Sequence, residues 1–293
     1  MRRFDPQEAR LYWERHAEHR ADVDLEEDPE GLANVCYVNA PQWLNRYHAR
    51  LQRSVFERLL DLVPSPSAGG HALEIGCGSG RWCRVLREKG YAVTGIDLQE
   101  SLIERNRQAM PEIDFATSSI QDFETSRTHD LVTSVTVLQH IPFAEQEAAI
   151  HRIGQLVHTG GRALILENAR DQVPHVFPRS LDGWVQVFDA AGFRLVSAAP
   201  YDYGPATRVL DMSLKAVQRL LSKLKRTKRE DAPPSVDTFN TGLGSRGGVA
   251  GWLSPSLRRV ALMLDSRLEP VLSARRPRLQ PTHVGLLFQK GPG

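Results

Sequence analysis

Apolar positions in this chain recur with two periods. Over 40–63, Trp43, Leu44, Tyr47, Leu51, Val55, Phe56, Leu59 and Leu60 fall at helical spacing. A shorter helix is predicted over 6–20, and the Pro/Ser/Gly-rich stretch 64–70 reads as a linker. From 72 to 200 short apolar runs alternate with amphipathic stretches. The runs at 72–76, 92–97, 113–117, 130–135, 162–167 and 194–201 read as strands. Such alternation predicts a parallel sheet with helical crossovers. After 203 the pattern changes. A helix is predicted over 206–229, with Val209, Leu210, Val217, Leu220, Leu221 and Leu224 on one face and a basic end from Lys223 to Arg229. A Pro/Gly/Ser-rich loop is predicted over 231–251, then a helix over 255–273 with Leu257, Val260, Ala261, Leu264, Leu268 and Val271 on one side.

The first strand runs into a glycine-rich turn, Leu73-Glu74-Ile75-Gly76-Cys77-Gly78-Ser79-Gly80, and the second ends in Thr94-Gly95-Ile96-Asp97-Leu98. Glycines at 76, 78 and 80 leave no side chains where a ligand approaches the backbone. The free N–H groups of the following helix are expected to face that ligand. An acid at the tip of the second strand is placed to accept hydrogen bonds from a ribose diol. The spacing indicates a nucleoside cofactor. It departs from the dinucleotide fingerprint, whose last glycine would fall at 81, here Arg81.

The G-x-G-x-G turn preceded by Glu74 resembles motif I of class I S-adenosylmethionine-dependent methyltransferases. Asp130 to Val135 resembles their fourth strand and Val137-Leu138-Gln139-His140-Ile141-Pro142 the segment after it. Gly160-Gly161 with Arg162 to Glu167 resembles the turn and fifth strand, Trp184 to Phe193 the helix before strand six, and His283 to Lys290 the closing strand. The resemblance covers roughly 52–203 and 281–290, in the family's order. It implies an α/β fold: a seven-stranded, mostly parallel Rossmann-like sheet with a reversed last hairpin, a helical N-terminal lid and a helical insertion between strands six and seven. The expected divisions are a lid at 1–51, a cofactor-binding core at 52–203 plus 281–293, and an insertion at 204–280.

The resemblance also implies a site. S-adenosyl-L-methionine is the expected cofactor. Glu74 is expected to orient its methionine end, Gly76, Cys77 and Gly78 to meet it through backbone, Asp97 to hold the ribose, and Leu98 to pack on the adenine. The family's acid after strand three is replaced here by Ser118-Ser119-Ile120-Gln121-Asp122. Ser119, the Ile120 N–H and Gln121 become the candidates for the adenine edge, with Asp122 read as a cap of the next turn. The Val135 carbonyl is a candidate for the cofactor's amino group. Trp13 lies on the expected covering helix, and Arg15 and Arg81 compete for the methionine carboxylate. His140 is a candidate both for a cofactor contact and for a general base, because imidazole titrates near neutrality; a structural role is the alternative. Tyr37, Trp43, Tyr47, Glu167, Arg170 and His175 are candidate substrate residues.

The sulfonium makes the methyl carbon electrophilic, so the protein's task is to align a nucleophile, exclude water and remove a proton where needed. The implied activity is methyl transfer to an O, N or C nucleophile of a small molecule or glycan. Other chemistry on the same cofactor, such as cyclisation or decarboxylation, and a scaffold role remain open. Composition narrows this further. A net charge of +2 over 293 residues does not suggest a global nucleic-acid-binding field. The place after strand four reads Ser134-Val135-Thr136-Val137, which disfavours DNA base methylation. No apolar run reaches transmembrane length and Arg2 begins a charged N-terminus, so a cytoplasmic protein is expected. The three cysteines show no metal-ligand spacing, and no metal is expected. The insertion is read first as a pocket cap or homodimer contact, with membrane-surface contact not favoured.

Overall fold

The computed structural model describes residues 42–66, 69–170, 176–202, 204–206, 209–210, 213, 249–275 and 281–292. The described residues divide into two compact units, with breaks between Tyr201 and Asp202 and between Gln280 and Pro281. The first unit runs α1 (Gln42–Leu60), β1 (His71–Ile75), α2 (Arg81–Glu88), β2 (Ala92–Asp97), α3 (Glu100–Ala109), β3 (Asp114–Thr117), β4 (His129–Val135), a 3-10 turn (Leu138–His140), α4 (Phe143–Leu156), β5 (Val157–Asn168), α5 (Leu181–Ala190), β6 (Phe193–Tyr201) and β7 (His283–Lys290). The second contains α6 (Val249–Arg275).

Seven strands form one sheet in the order β3-β2-β1-β4-β5-β7-β6. β1 pairs in parallel with β2 and β4, β2 with β3, and β4 with β5; only the two pairings of β7 are antiparallel. Strand order reverses between β1 and β4, so the crevice for a ligand opens at their carboxyl ends.

Alternation along the strands divides the core into two layers. Ala72, Val93, Leu131, Leu164 and Leu166 pack with Val55, Phe56 and Leu59 of α1, Trp82 and Leu86 of α2 and Ile103 of α3. Leu73, Ile75, Val132, Ala163 and Ile165 pack with Ile150 and Ile153 of α4 and Trp184 and Phe188 of α5. Gly285 of β7 faces α1, and a Cβ there would lie 2.5 Å from Val55. The absence of a side chain at that position lets α1 lie directly on the sheet.

Three expectations are corrected. The division at 51/52 falls inside α1, whose Val55, Phe56 and Leu59 are core residues, so it is not a domain boundary. The Gly160-Gly161 turn lies within β5, which begins at Val157 and carries a register irregularity opposite His129 and Leu131. The last helix starts at Val249, inside the span predicted as loop. The predicted helix at 6–20 lies outside the described residues. So does most of 206–229, of which 206, 209–210 and 213 are helical.

Candidate active site

The glycine turn leaves β1 in left-handed backbone, with φ of 65° at Gly76. A Cβ at Gly76 would collide with the Val137 side chain, so the turn after β1 and the segment after β4 meet with no room between them. Three of the turn's own amides are taken up within the protein. The Cys77 N–H donates to the Ile96 carbonyl (2.9 Å) and the Gly80 N–H to the Cys77 carbonyl (2.8 Å). The Gly78 N–H donates to Asp97 Oδ2 (2.8 Å), while its carbonyl accepts from Asn106 Nδ2 (2.8 Å). The Cys77 thiol is buried, and its contact with the Cys83 thiol, together with burial, holds it well above the usual range. It is a packed thiol, not a nucleophile.

Asp97 ends β2 with both oxygens engaged. Oδ1 accepts the Gln99 N–H (2.9 Å) and Oδ2 that of Gly78. Burial raises its pKa, opposed by the backbone N–H groups of Gln99, Gly78 and Leu98. Each carboxylate oxygen keeps a second lone pair, so the ribose role stays compatible with this geometry. Leu98 beside it is half-buried.

Glu74 is fully buried on the α1–α3 side of the sheet. Its Oε2 accepts from Thr133 Oγ1, and its Oε1 has no hydrogen-bond partner. Burial drives its pKa well up; Arg81 lowers it and Glu167 raises it further. An orphaned buried acceptor beside a glycine turn fits a cationic amino group of the cofactor, which would complete its hydrogen bonding. Arg81 stacks on Trp82 (4.5 Å) and donates to Gln52 Oε1 on α1, near the expected methionine end.

Where the adenine edge is expected, the Ser119 hydroxyl donates to Asp122 Oδ2 (2.6 Å) and accepts the Asp122 N–H (3.0 Å). An acid three residues on is thus held against Ser119. Ile120 is buried and Gln121 exposed. The Val135 carbonyl accepts the hydroxyl of Thr136, a β-branched residue at φ 58°. Left-handed backbone at such a residue is strained and turns the chain sharply at the crevice.

Glu167 is a correction. It is fully buried and does not face substrate. Its Oε1 accepts from Ser134 Oγ (3.2 Å) and the N–H groups of Val137 (3.1 Å) and Leu138 (3.0 Å), and Oε2 accepts the Gln139 N–H (3.1 Å). Burial nevertheless pushes its pKa to about 8, with those donors opposing. Glu167 fixes the turn that carries His140. Gln139 completes the support: its Oε1 accepts the Asn168 N–H (2.8 Å), so its amide nitrogen faces His140 Nε2 (3.4 Å). Sequence reasoning passed over Gln139, Thr133, Ser134 and Asn106; only their nearness to the motifs marked them.

Of the remaining candidates, Tyr47 is half-buried on α1, packed edge-on against His48. Arg170 follows β5 and donates to Thr282 Oγ1 (3.3 Å). Trp13, Tyr37 and His175 lie outside the described residues, as does the Trp43 side chain.

A glycine turn, an acid at the tip of the second strand and a buried acceptor at the switch point of this sheet are the features of a nucleoside-cofactor-binding α/β enzyme. The chain belongs to the methyltransferase-domain family, whose match spans residues 47–198. It is 24% identical over 175 residues to a ubiquinone biosynthesis O-methyltransferase from Coxiella burnetii, covering 50% of this chain and 72% of that protein. Magnesium protoporphyrin IX methyltransferase from Synechocystis PCC 6803, solved with bound S-adenosylmethionine, superposes with a TM-score of 0.53 at 20% identity, over 67% of this chain and 90% of the other. The [4+2]-cyclase SpnF superposes with a TM-score of 0.54 at 14% identity, over 99% and 97%. The protein is an S-adenosylmethionine-dependent methyltransferase.

Proposed function

We propose that the methyl group goes to a hydroxyl oxygen of a small natural-product-like molecule, with His140 receiving the hydroxyl proton. The observation that carries this reading is the support of His140. A half-exposed imidazole stands on a turn immobilised by Glu167, at the mouth of the cofactor crevice. The Gln139 amide nitrogen lies 3.4 Å from Nε2 and helps to position the ring. A neutral, positioned imidazole is the form that accepts a proton. The O-methyltransferase name of the Coxiella relative supports an oxygen acceptor.

Asp97 is proposed to hold the ribose, Glu74 the methionine amino group, and Ser119 with Asp122 the adenine edge. The test is incubation with S-adenosylmethionine and matched phenol, amine and oligosaccharide panels. S-adenosylhomocysteine release with a methyl ether is the expected result. Methylated amines alone would overturn the oxygen assignment, and product without S-adenosylhomocysteine would overturn methyl transfer.

A further inference from the structure

Formal charge is divided unevenly along this chain. Residues 202–280 hold fifteen Lys and Arg against seven Asp and Glu, so the rest of the chain is net acidic although the whole carries only +2. Exposed apolar side chains gather in the same segment. Among the described residues, seven of the ten exposed large hydrophobics lie within it.

Six of those seven are on α6. Leu257, Val260, Leu264, Leu268 and Val271 are spaced i, i+3, i+7, i+11 and i+14, which keeps them on one stripe of a helix, with Met263 at its flank. Leu264 is 47% exposed and Leu268 43%. The two acids of α6 face elsewhere. Asp265 and Glu269 are buried, their carboxylates accepting the N–H groups of Ala206 (2.8 Å) and Asp202 (2.9 Å). The helix's other charged residues are all arginines, and Arg267, adjacent to the stripe, is exposed.

An apolar stripe with an exposed arginine beside it and buried acids matches the interface between headgroups and acyl chains of an anionic bilayer. Among the described residues no helix is long and apolar enough to cross a membrane. We propose that α6 docks the protein on an anionic phospholipid surface, lying in the plane of the interface with Leu257, Val260, Leu264, Leu268 and Val271 inserted.

The full-length protein should be sedimented with vesicles of phosphatidylcholine alone and of phosphatidylcholine mixed with phosphatidylglycerol. Binding to the anionic vesicles is expected to exceed binding to the neutral ones at least about tenfold. It should weaken at about 1 M salt, where the Debye length is about 3 Å. Leu264→Ser/Leu268→Ser should reduce binding with no loss of melting temperature, because both residues are exposed. Arg267→Glu should reduce binding to anionic vesicles only. Equal binding to both vesicle types, or none to the anionic ones, overturns the proposal. Ultracentrifugation provides the other decisive outcome. A dimer that the double serine variant dissociates, without vesicle binding, would assign the stripe to a second copy of this chain instead.

Discussion

Thr133 and Ser134 are consecutive on β4 and give their hydroxyls to different buried carboxylates, Thr133 to Glu74 and Ser134 to Glu167. Alternation of side chains across the strand sends the two hydroxyls to opposite faces of the sheet. Glu74 lies on the α1–α3 side and Glu167 on the α4–α5 side. One strand thereby supports an acid at the glycine turn and an acid under the His140 turn.

In its proposed place against the cofactor's amino group, Glu74 would couple cofactor binding to proton release. Its pKa is raised by burial, and an arriving ammonium group favours the carboxylate. Affinity for S-adenosylmethionine should therefore rise with pH. Titration calorimetry in buffers of different ionisation enthalpy should detect a released proton. In Glu74→Gln both the proton release and the pH dependence should vanish. A buffer-independent heat for the wild type would mean that Glu74 is already ionised.

Glu167 makes stability depend on pH in the direction opposite to that of an ordinary paired carboxylate. Its folded pKa, about 8, lies above the reference value of 4.5, so the native state binds its proton more tightly. Its contribution is complete below about pH 4.5 and is lost as pH rises towards 8, with a slope of at most about 1.4 kcal/mol per pH unit. Urea unfolding between pH 5 and 8, about the span between the two pKa values, should show a fall that Glu167→Gln flattens. Glu167→Ala should cost more than Glu167→Gln, because it strands three backbone N–H groups.

Asp97→Ala should affect both cofactor and turn. Loss of charge-assisted hydrogen bonds worth about 1.5–3 kcal/mol each predicts at least tenfold weaker binding, roughly. The Gly78 and Gln99 N–H groups lose their acceptor as well, so a drop in melting temperature is expected. Asp97→Asn, which keeps one acceptor oxygen, should fall between the two. Unchanged affinity in Asp97→Ala would remove it from the cofactor site.

His140→Ala separates proton transfer from support. As a base, its loss should lower turnover about 10²–10⁴-fold with cofactor affinity nearly intact. The wild-type rate should rise with pH through a group near neutrality, and the variant should lose that rise. Lower stability or affinity with unchanged turnover of the bound complex would assign it a structural role.

Strand positions were legible to within a residue or two for all but β5, because β1, β4 and β7 are buried on both faces and read as compact apolar runs, and the other strands keep an apolar side toward the core. β5 was misjudged at its start because Gly160-Gly161 carries the chemistry of a turn, while the backbone there bulges within the strand, with φ of 86° at Gly160. The places of Asp97 at the end of β2 and of Glu74 beside the glycine turn in β1 were legible from their spacing to the glycines. Glu167 was misread from its place at the end of a strand. The signal was present, since it continues the face of Ala163 and Ile165, which is core. The inward turn of the glycine-loop amides was not legible, because sequence shows which backbone is permissive but not which acceptor each N–H reaches.

The position of β7 has a consequence for the order of assembly. It fills the slot between β5 and β6, yet it is synthesised after both and after the whole of 202–280. Until His283–Lys290 emerges from the ribosome, the facing edges of β5 and β6 lack their ladder partner, and such edges invite pairing with another chain. Separating β6 from β7 by a long excursion instead of a tight hairpin adds roughly 3 kcal/mol of closure entropy if the excursion is slack.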